Sequence, residues 1–356
     1  MSPTIAGTGL FALDVVLRLD GSMASPRLGG SAGNVLAILG AFGWSTVPVG
    51  LLGDDLAAEM ICRDFSLVGA DTKWLLRSNT CTTPVIFQHQ LKSVSGQAGA
   101  THRFTFACPS CGTRRRPRWE DHAESLLPVH GAPPAASAFY LDRPTRLGVR
   151  LAEHYARQGA TVVFEPSAVG DDEDLFACAV RVASIVKYAD ERLPGLSAFE
   201  LGPGAVEIQT RGADGLRFRS SGGGSSWTEL GAYRLPRVHD TAGAGDWCTA
   251  GLLFELFSHR GAPRRIDTEV LSRGLAFGQV LATLNCFTEG ARGLLAAWAP
   301  ERIVRAAREL ADARLRSAQG ATPMHDSELQ DLANDVSRSV RSNGSDANGF
   351  YCCSTP

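Results

Sequence analysis

The chain has 356 residues, of which 44% are hydrophobic and 20% are charged, an ordinary globular composition with enough length to bury a large core. Its 35 basic and 37 acidic residues leave a net charge of −2, which provides no general attraction to nucleic acid or to acidic membrane surfaces. No run of about 18 apolar residues predicts a membrane-spanning helix, and the start of the chain lacks the basic and apolar blocks of a secretory signal.

Short β-branched runs alternate with longer helical stretches along most of the chain. The sequence predicts strands at 47–52, 161–164, 183–186 and 206–210, and helices at 32–42, 57–68, 146–158 and 245–257. This alternation is typical of βαβ units, in which helices cover both faces of a mainly parallel sheet.

Three stretches depart from the alternation. Residues 10–19 and 84–107 indicate strands with little helix, and the second stretch has the pattern of a hairpin, a common form for a lid or an oligomer contact. Residues 320–356 are rich in Ser, Asn, Asp and Gly; one helix over 327–340 is compatible with the pattern, and the rest is predicted to be disordered.

Residues 7–12 match G-x-G-x-x-A, the fingerprint of dinucleotide-binding proteins. That fingerprint needs a strand before it and a helix opening at it. Only six residues precede Gly7, and the residues that follow it favour a strand. We therefore interpret these glycines as backbone turns.

The string Asp-Thr-Ala-Gly-Ala-Gly-Asp at 240–246 precedes an apolar helix. Small residues at a helix start leave amide groups accessible, and with the helix dipole they form an anion site. Asp246 lies in the first turn, where a carboxylate can take a proton from a hydroxyl while the amides bind a transferring phosphoryl group. The alternative is a glycine-rich turn with an ordinary first-turn acid.

In these residues the chain resembles the ribokinase-like, or PfkB, carbohydrate and nucleoside kinases. Residues 240–246 match the family's C-terminal signature at every defined position. Four further segments resemble family motifs and occur in the same order as in the family. They are Asp14 with Gly-Gly-x-x-x-Asn at 29–34, a segment like Gly-x-Val-Gly-x-Asp at 49–55, Thr-x-Gly-x-x-Gly at 210–215, and Gly-Ala at 290–291.

The resemblance implies an ATP-dependent kinase with a ribokinase-like α/β sandwich, a mainly parallel central sheet and a small β lid. Asp246 would be the catalytic base, and the loop containing Gly243, Ala244 and Gly245 would bind the transferring phosphate. The acceptor would contact Asp14, Gly29, Gly30 and Asn34. The nucleotide would contact Thr210, Gly212, Gly215, Thr241 and Asn285. Apart from the resemblance, the pair Asp142-Arg143 ends a predicted parallel strand, where open α/β sheets bind ligands, and is a further candidate acceptor contact.

The family's magnesium-organising Asn-x-x-Glu segment is altered in this chain. Ala189 replaces the asparagine and Arg192 replaces the glutamate, while Asp190 and Glu191 offer other carboxylates for Mg²⁺. The family's Asp-Pro-Asn is likewise Glu-Pro-Ser at 165–167. The alternatives are a metal site rebuilt on Asp190 and Glu191, and a weakened site in an impaired enzyme.

Cysteines form a further candidate site. Cys-Pro-x-Cys-Gly at 108–112 has the spacing of a zinc-ribbon knuckle, so Cys108 and Cys111 could bind Zn²⁺. The further ligands would come from a second subunit or from the nearby Cys62, Cys81, His89 and His102; the alternative is two free cysteines at a tight turn. The basic run at 114–118 is typical of a solvated surface, with a phosphate contact as the alternative. An odd total of nine cysteines fits a reducing compartment.

The sequence thus predicts a cytoplasmic sugar kinase using ATP and Mg²⁺, with no nucleic-acid or membrane partner. The kinase domain would span 1–320, with lid strands at about 10–27 and 84–107, followed by a polar tail at 321–356. Exposed lid edges suggest a homodimer. A nucleoside kinase of the same family and a non-catalytic binding or regulatory protein are the alternatives.

Overall fold

The computed structural model describes residues 2–91, 102–117, 133–194, 196–221, 226–233, 238–258, 266–318 and 326–342. The fourteen strands in these ranges are β1 Thr4–Thr8, β2 Ala12–Leu17, β3 Arg27–Gly29, β4 Ser45–Pro48, β5 Gly50–Gly53, β6 Leu75–Ser78, β7 Val85–Gln90, β8 His102–Thr105, β9 Ala138–Leu141, β10 Thr161–Phe164, β11 Ile185–Ala189, β12 Val206–Thr210, β13 Leu216–Ser220 and β14 Thr228–Leu230. The α-helices are α1 Ser31–Ala41, α2 Leu56–Leu67, α3 Arg146–Arg157, α4 Glu173–Val182, α5 Ala244–Leu256, α6 Thr268–Asn285, α7 Gly293–Ala297, α8 Pro300–Ala318 and α9 Asp326–Ser342.

The main sheet has the strand order β14-β13-β12-β11-β10-β9-β1-β4. The pairs from β4 to β12 are parallel, and β13 and β14 extend the sheet in antiparallel fashion. Successive strand residues enter different apolar clusters: Ile5 packs with α1 and α5, whereas Ala6 packs with α3 and α4. The sheet is therefore covered on both faces, as the alternating pattern predicts.

The predicted lid stretches form a second sheet with the order β3-β2-β7-β8. Strands β2 and β7 pair in parallel, and β7 and β8 pair in antiparallel fashion. The turn predicted between β7 and β8 lies outside the described residues. This small sheet carries Asp14 on β2 and lies beside the start of α1.

One local prediction differs from the structure. The strand predicted at 47–52 is two strands, because β4 pairs with β1 whereas β5 pairs with β6, and Val49 between them donates to the Gly7 carbonyl at 2.8 Å. In the polar tail, the helix that the pattern at 327–340 allowed is present as α9, which buries Ala333 and Val336 against the core. The rest of the tail, predicted to be disordered, lies outside the described residues. Within the described ranges, no helix has the length and apolar character needed to cross a membrane.

Candidate active site

The loop before α5 has the geometry of an anion site. Gly243 has φ = 74°, and a Cβ there would lie 2.4 Å from the Ala291 carbonyl oxygen, so a side chain is excluded. Trp247 donates its indole N–H to the same Ala291 oxygen at 2.9 Å, which fixes the helix start against the neighbouring loop. In the first turn of α5, the Ala244 amide donates to the Thr241 carbonyl at 3.3 Å and the Trp247 amide donates to the Gly243 carbonyl at 2.9 Å. The Gly245 and Asp246 amides lie before the first one-turn hydrogen bond of the helix, at the end of a helix that favours anions.

Asp240 supports this loop and ties it to the lid. Its Oδ1 accepts from the Ala242 amide and from His102 Nδ1, both at 3.0 Å. Its Oδ2 accepts from Gln88 Nε2 at 2.5 Å and from the Gly290 amide at 2.9 Å. Hydrogen bonds from His102 and the two amides hold the pKa of Asp240 below its usual value, although burial opposes them. The lid strands β7 and β8 therefore hold the residue that shapes the anion site.

Asn285 is a second support of the loop, and this differs from its predicted contact with the nucleotide. Its Nδ2 donates to the Ala242 carbonyl at 3.0 Å and to the Gly290 carbonyl at 3.3 Å, while its Oδ1 accepts from the Leu294 amide at 3.2 Å. The residue is fully buried. Because its amide is committed to the protein, Asn285 holds the loop and does not face a ligand.

Asp246 lies beside the loop amides and is buried, with 8% of its surface exposed. Its Oδ2 accepts from Asn34 Nδ2 at 2.7 Å, which joins the start of α5 to the start of α1. Burial raises the pKa of Asp246 to about 7, and the negative charge of Glu165 adds to this rise. The Asn34 hydrogen bond and the positive charge of Lys187 oppose it. Such a carboxyl can accept a proton near neutral pH.

Three buried oxygens accept no hydrogen bond from the protein: Asp14 Oδ1, Asn34 Oδ1 and Asp142 Oδ2, the last of which lies 3.6 Å from Arg143 Nη1. We call Asp14, Asn34 and Asp142 the acceptor side. Buried polar atoms are normally satisfied, and several unsatisfied acceptors in one region suit a ligand that brings hydroxyl donors.

Glycines allow the acceptor side to assemble. A Cβ at Gly29 would lie 1.9 Å from Asp14 Cγ, and a Cβ at Gly30, which has φ = 76°, would lie 2.2 Å from the Leu10 carbonyl oxygen. Burial raises the pKa of Asp14 to about 7, and the positive charge of Arg292 partly opposes that rise. The two adjacent glycines therefore let β2 and β3 approach closely, with Asp14 packed against Gly29 just before the start of α1.

Asp142 follows β9 and, with its neighbour Arg143, forms the pair predicted from the sequence at the end of this strand. Asp142 is fully buried, and its Oδ1 accepts from the Leu10 amide at 2.9 Å. Arg143 donates from Nη1 to the Asp142 carbonyl at 2.7 Å, and the same nitrogen lies 3.6 Å from Asp142 Oδ2. Arg143 therefore lies at the acceptor side as a partner of Asp142. A carboxylate at the end of a parallel strand is the sequence signal for this position.

A buried charge pair was missed by the sequence analysis. Lys187 on β11 donates through Nζ to Glu165, which follows β10, and also to the Gly245 carbonyl at 3.2 Å. Glu165 Oε2 accepts from Thr249 Oγ1 at 2.5 Å and from the Tyr140 hydroxyl at 3.3 Å. The sequence signals for this pair are the glutamate in the altered Asp-Pro-Asn at 165–167 and a lysine directly after the strand predicted at 183–186.

The nucleotide-side glycines form a tight turn after β12. The Arg211 amide donates to the Gly215 carbonyl at 2.7 Å, and Gly212 and Gly215 have φ values of 55° and 93°. A Cβ at Gly215 would lie 2.2 Å from the Leu230 carbonyl oxygen, so this turn packs closely against β14. Thr210 ends β12 and donates its hydroxyl to the Tyr188 carbonyl at 3.3 Å.

One polar group near this turn was not singled out from the sequence. Gln279 Nε2 reaches the Gly231 carbonyl at 3.3 Å, whereas Gln279 Oε1 accepts no hydrogen bond from the protein. Because Asn285 faces the protein, Gln279 is the α6 amide that keeps an unpartnered acceptor beside the Gly215 turn.

The metal candidates do not cluster. Asp190 and Glu191 are exposed after β11, and Asp190 Oδ1 accepts from Gln209 Nε2 at 2.7 Å. Among the residues that the structure describes, no three His, Cys, Asp or Glu side chains are placed to hold an ion. The donor set therefore does not form a complete protein cage for Mg²⁺, an ion that usually keeps water and substrate phosphates as ligands.

The structure does not support the zinc site. Cys108 is buried and Cys111 is exposed on a tight turn, in which the Gly112 amide donates to the Cys108 carbonyl and the Cys108 amide donates to the Thr113 carbonyl, both at 2.9 Å. His102, a candidate extra ligand, faces Asp240. In the adjacent basic run, Arg115 pairs with Asp55 at 3.3 Å, while residues 118 and 119 lie outside the described ranges.

The sequence matches no protein-family model and no curated protein. Its structure is similar to that of aminoimidazole riboside kinase from Salmonella enterica, with a TM-score of 0.63 and 21% identity over 84% of this chain and 98% of that chain. It is also similar to fructokinase from Xylella fastidiosa, solved with ATP, with a TM-score of 0.62 and 19% identity over 82% and 94% of the two chains.

A third similar structure is fructokinase from Vibrio cholerae, solved with fructose, ADP and calcium, with a TM-score of 0.59 and 16% identity over 81% of this chain and 94% of that chain. All three are phosphotransferases, and their fold is the one that the motifs at 29–34 and 240–246 predict. The chain therefore has the ribokinase-like fold of these sugar and riboside kinases.

Proposed function

We propose that the chain is an ATP-dependent kinase that transfers the γ-phosphoryl group to a hydroxyl of a sugar or a sugar-like molecule. The observation that carries this proposal is the position of Asp246, a buried carboxyl beside the loop amides that is also hydrogen-bonded to Asn34 on the acceptor side. A proton acceptor thus lies between an anion site and a set of unpartnered hydroxyl-binding atoms.

In the proposed reaction, the acceptor hydroxyl oxygen attacks the γ-phosphorus, and its proton passes to Asp246. The bond between the γ-phosphorus and the bridging oxygen breaks, and ADP leaves with that oxygen. The loop that begins at Gly243 would stabilise the charge on the transferring group. Such a transfer depends mainly on positioning and electrostatics, which a carboxylate and a set of fixed amides can supply.

Nucleotide and metal would bind on the side of the loop away from Asp14. The Gly212–Gly215 turn and the amide of Gln279 suit a nucleotide, since both present polar groups in a closely packed crevice. A divalent ion such as Mg²⁺ would neutralise phosphate charge there, with Asp190 and Glu191 as the exposed carboxylates nearest the altered segment.

The proposal is tested by measuring ADP formation over a panel of ketoses, aldoses, sugar phosphates and ribosides. Asp246→Asn should lower turnover on the active acceptor by at least about 10²-fold, because the hydroxyl loses its proton acceptor. Calorimetry should give the same ATP affinity for both proteins. Asp171→Asn, the same change at an exposed carboxylate, is the matched control and should keep full activity.

Two outcomes would contradict the proposal. Unchanged turnover in a folded Asp246→Asn protein would remove Asp246 from the mechanism. Absence of turnover across the panel, with ATP still bound, would favour a binding or regulatory protein over an enzyme. The ribosides in the panel separate a nucleoside kinase from a sugar kinase.

We also propose a homodimer formed through the small sheet. Strands β3 and β8 are its two edges, and Phe104 on β8 is 47% exposed. An edge strand with an exposed aromatic side chain favours pairing with a second chain. Light scattering should give twice the mass of 37.8 kDa, and Phe104→Lys should reduce it to one chain.

A further inference from the structure

Glu165 and Lys187 form an ion pair directly beneath the start of α5. Lys187 is 1% exposed, and its Nζ contacts both Glu165 Oε1 and the Gly245 carbonyl. A Cβ placed on Gly245 would lie 3.5 Å from Glu165 Oε1 and 3.7 Å from Lys187 Nζ, so both charges lie next to the residue that precedes Asp246.

A stabilising role alone does not explain this pair. Removing two charges from water costs several kcal/mol per ion, and replacing a buried pair by apolar residues is often neutral or stabilising. The pair is also held in a definite orientation, because Thr249 and Tyr140 donate to Glu165 Oε2 while Lys187 contacts Oε1. Such a fixed charge near a reacting group acts on that group's electrostatics.

We propose that Glu165 and Lys187 are positioning residues for phosphoryl transfer: the Glu165 carboxylate makes Asp246 a stronger proton acceptor, and Lys187 holds Glu165 and the Gly245 carbonyl in place. This inference rests on the proposed function for its kinetic test. Neither side chain needs to touch the substrate, since both act through Asp246 and the loop.

The charged surroundings of Asp246 give the direction of the effect. Burial is the largest cause of the pKa of about 7, the Glu165 charge raises it further, and Lys187 lowers it by less than Glu165 raises it. The titratable groups that interact with Asp246 or with the Glu165–Lys187 pair come from four elements. They are Tyr140 on β9 and Asp142 directly after it, Glu165 after β10, Lys187 on β11 and Cys248 on α5. Among them, Glu165 is the negative group with the largest effect on Asp246.

Glu165→Gln is the variant that tests the pair. It removes the negative charge and leaves Lys187 positive, so the pKa of Asp246 should fall. The acid limb of the kcat profile should move to lower pH by about one unit or more, and the plateau rate should fall severalfold because Asp246 becomes a weaker base. In the double variant Glu165→Gln/Lys187→Met, the acid limb of the kcat profile should lie at a pH between that of Glu165→Gln and that of the wild type.

Thr249→Val is the matched control. It removes a hydrogen bond to the same Glu165 oxygen but keeps both charges, so its acid limb should stay with that of the wild type. An acid limb that does not move in folded Glu165→Gln, or that moves to higher pH, overturns the inference. If Glu165→Gln does not fold, the double variant must show a limb below that of the wild type. If neither variant folds while Thr249→Val does, the pair is purely structural and the inference falls.

A measurement without turnover separates this inference from the proposed function. Infrared difference spectra between the wild type and Asp246→Asn report the protonation of Asp246 through its carbonyl stretch as the pH changes. The same subtraction in the Glu165→Gln background should show that carboxyl titrating about one unit lower. If the pKa of Asp246 shifts in this way but the protein has no turnover, only the proposed function is refuted. If the protein has turnover but the pKa does not shift, only the inference is refuted.

Discussion

The acceptor side and the loop support differ in how their buried polar atoms are satisfied. The loop support consists of Asp240, with four hydrogen-bond donors, and Asn285, whose amide bridges two carbonyls. The acceptor side, formed by Asp14, Asn34 and Asp142, keeps one unpartnered oxygen on each residue. Both regions are closely packed around the same helix start, so burial alone does not distinguish them.

The difference indicates which polar residues complete their hydrogen bonds within the protein and which keep an atom available to a ligand. A group that completes its hydrogen bonds within the chain stabilises the fold and loses that contribution when it is truncated. A buried group with an unpaired atom destabilises the free protein, and a ligand that pairs with that atom gains binding energy. Variants on the two sides should therefore affect different measurements, stability on one and acceptor affinity on the other.

The largest effect on stability is expected for Asn285→Ala. The change leaves the Ala242 and Gly290 carbonyls and the Leu294 amide without partners, at about 1 kcal/mol or more each. We expect the midpoint of thermal unfolding to fall by about 4 °C or more. Asn34→Ala is the matched substitution on the acceptor side, and its midpoint should fall by less than half as much. Equal losses in scanning fluorimetry would show that the two sides do not differ.

Asp14→Asn should change acceptor affinity and leave stability intact. The substitution replaces a charged acceptor by a neutral one, and hydrogen bonds to charged groups contribute about 1.5 to 3 kcal/mol. The KM for the acceptor should therefore rise about tenfold or more, while the KM for ATP stays the same. The unfolding midpoint should not fall, because Asp14 Oδ1 has no partner to lose. A clear loss of stability with unchanged KM would assign Asp14 to the fold.

The sequence predicted the parts of this site that are local in the chain. The string at 240–246 contains the loop, the helix start and Asp246 within seven residues, and the strands Thr161–Phe164 and Val206–Thr210 were predicted with the observed bounds. Local strings carry turn geometry and helix starts, which depend on neighbouring residues.

Pairings across long separations could not be predicted in the same way. Glu165 and Lys187 are 22 residues apart, and the Asp142 contact with the Leu10 amide spans 132 residues. The resemblance implied a nucleotide contact for Asn285, whereas its partner Ala242 lies 43 residues earlier in the chain. A side chain's direction on a buried helix depends on the neighbouring element, which a single sequence does not specify.

The smallest effect expected is a pH-dependent gain in stability for Asp246→Asn. The pKa of Asp246 is about 7 in the folded protein, against the ordinary aspartate value of 3.8, so the folded state binds the proton more tightly. The stability that this proton contributes is present below about pH 4 and is lost as the pH rises to about 7. The asparagine does not ionise, so the midpoint of the variant minus that of the wild type should grow by a few degrees between pH 5 and pH 8. Asp171→Asn should show no such trend, and a constant difference for Asp246→Asn would mean that Asp246 is already ionised at pH 5 in the folded protein.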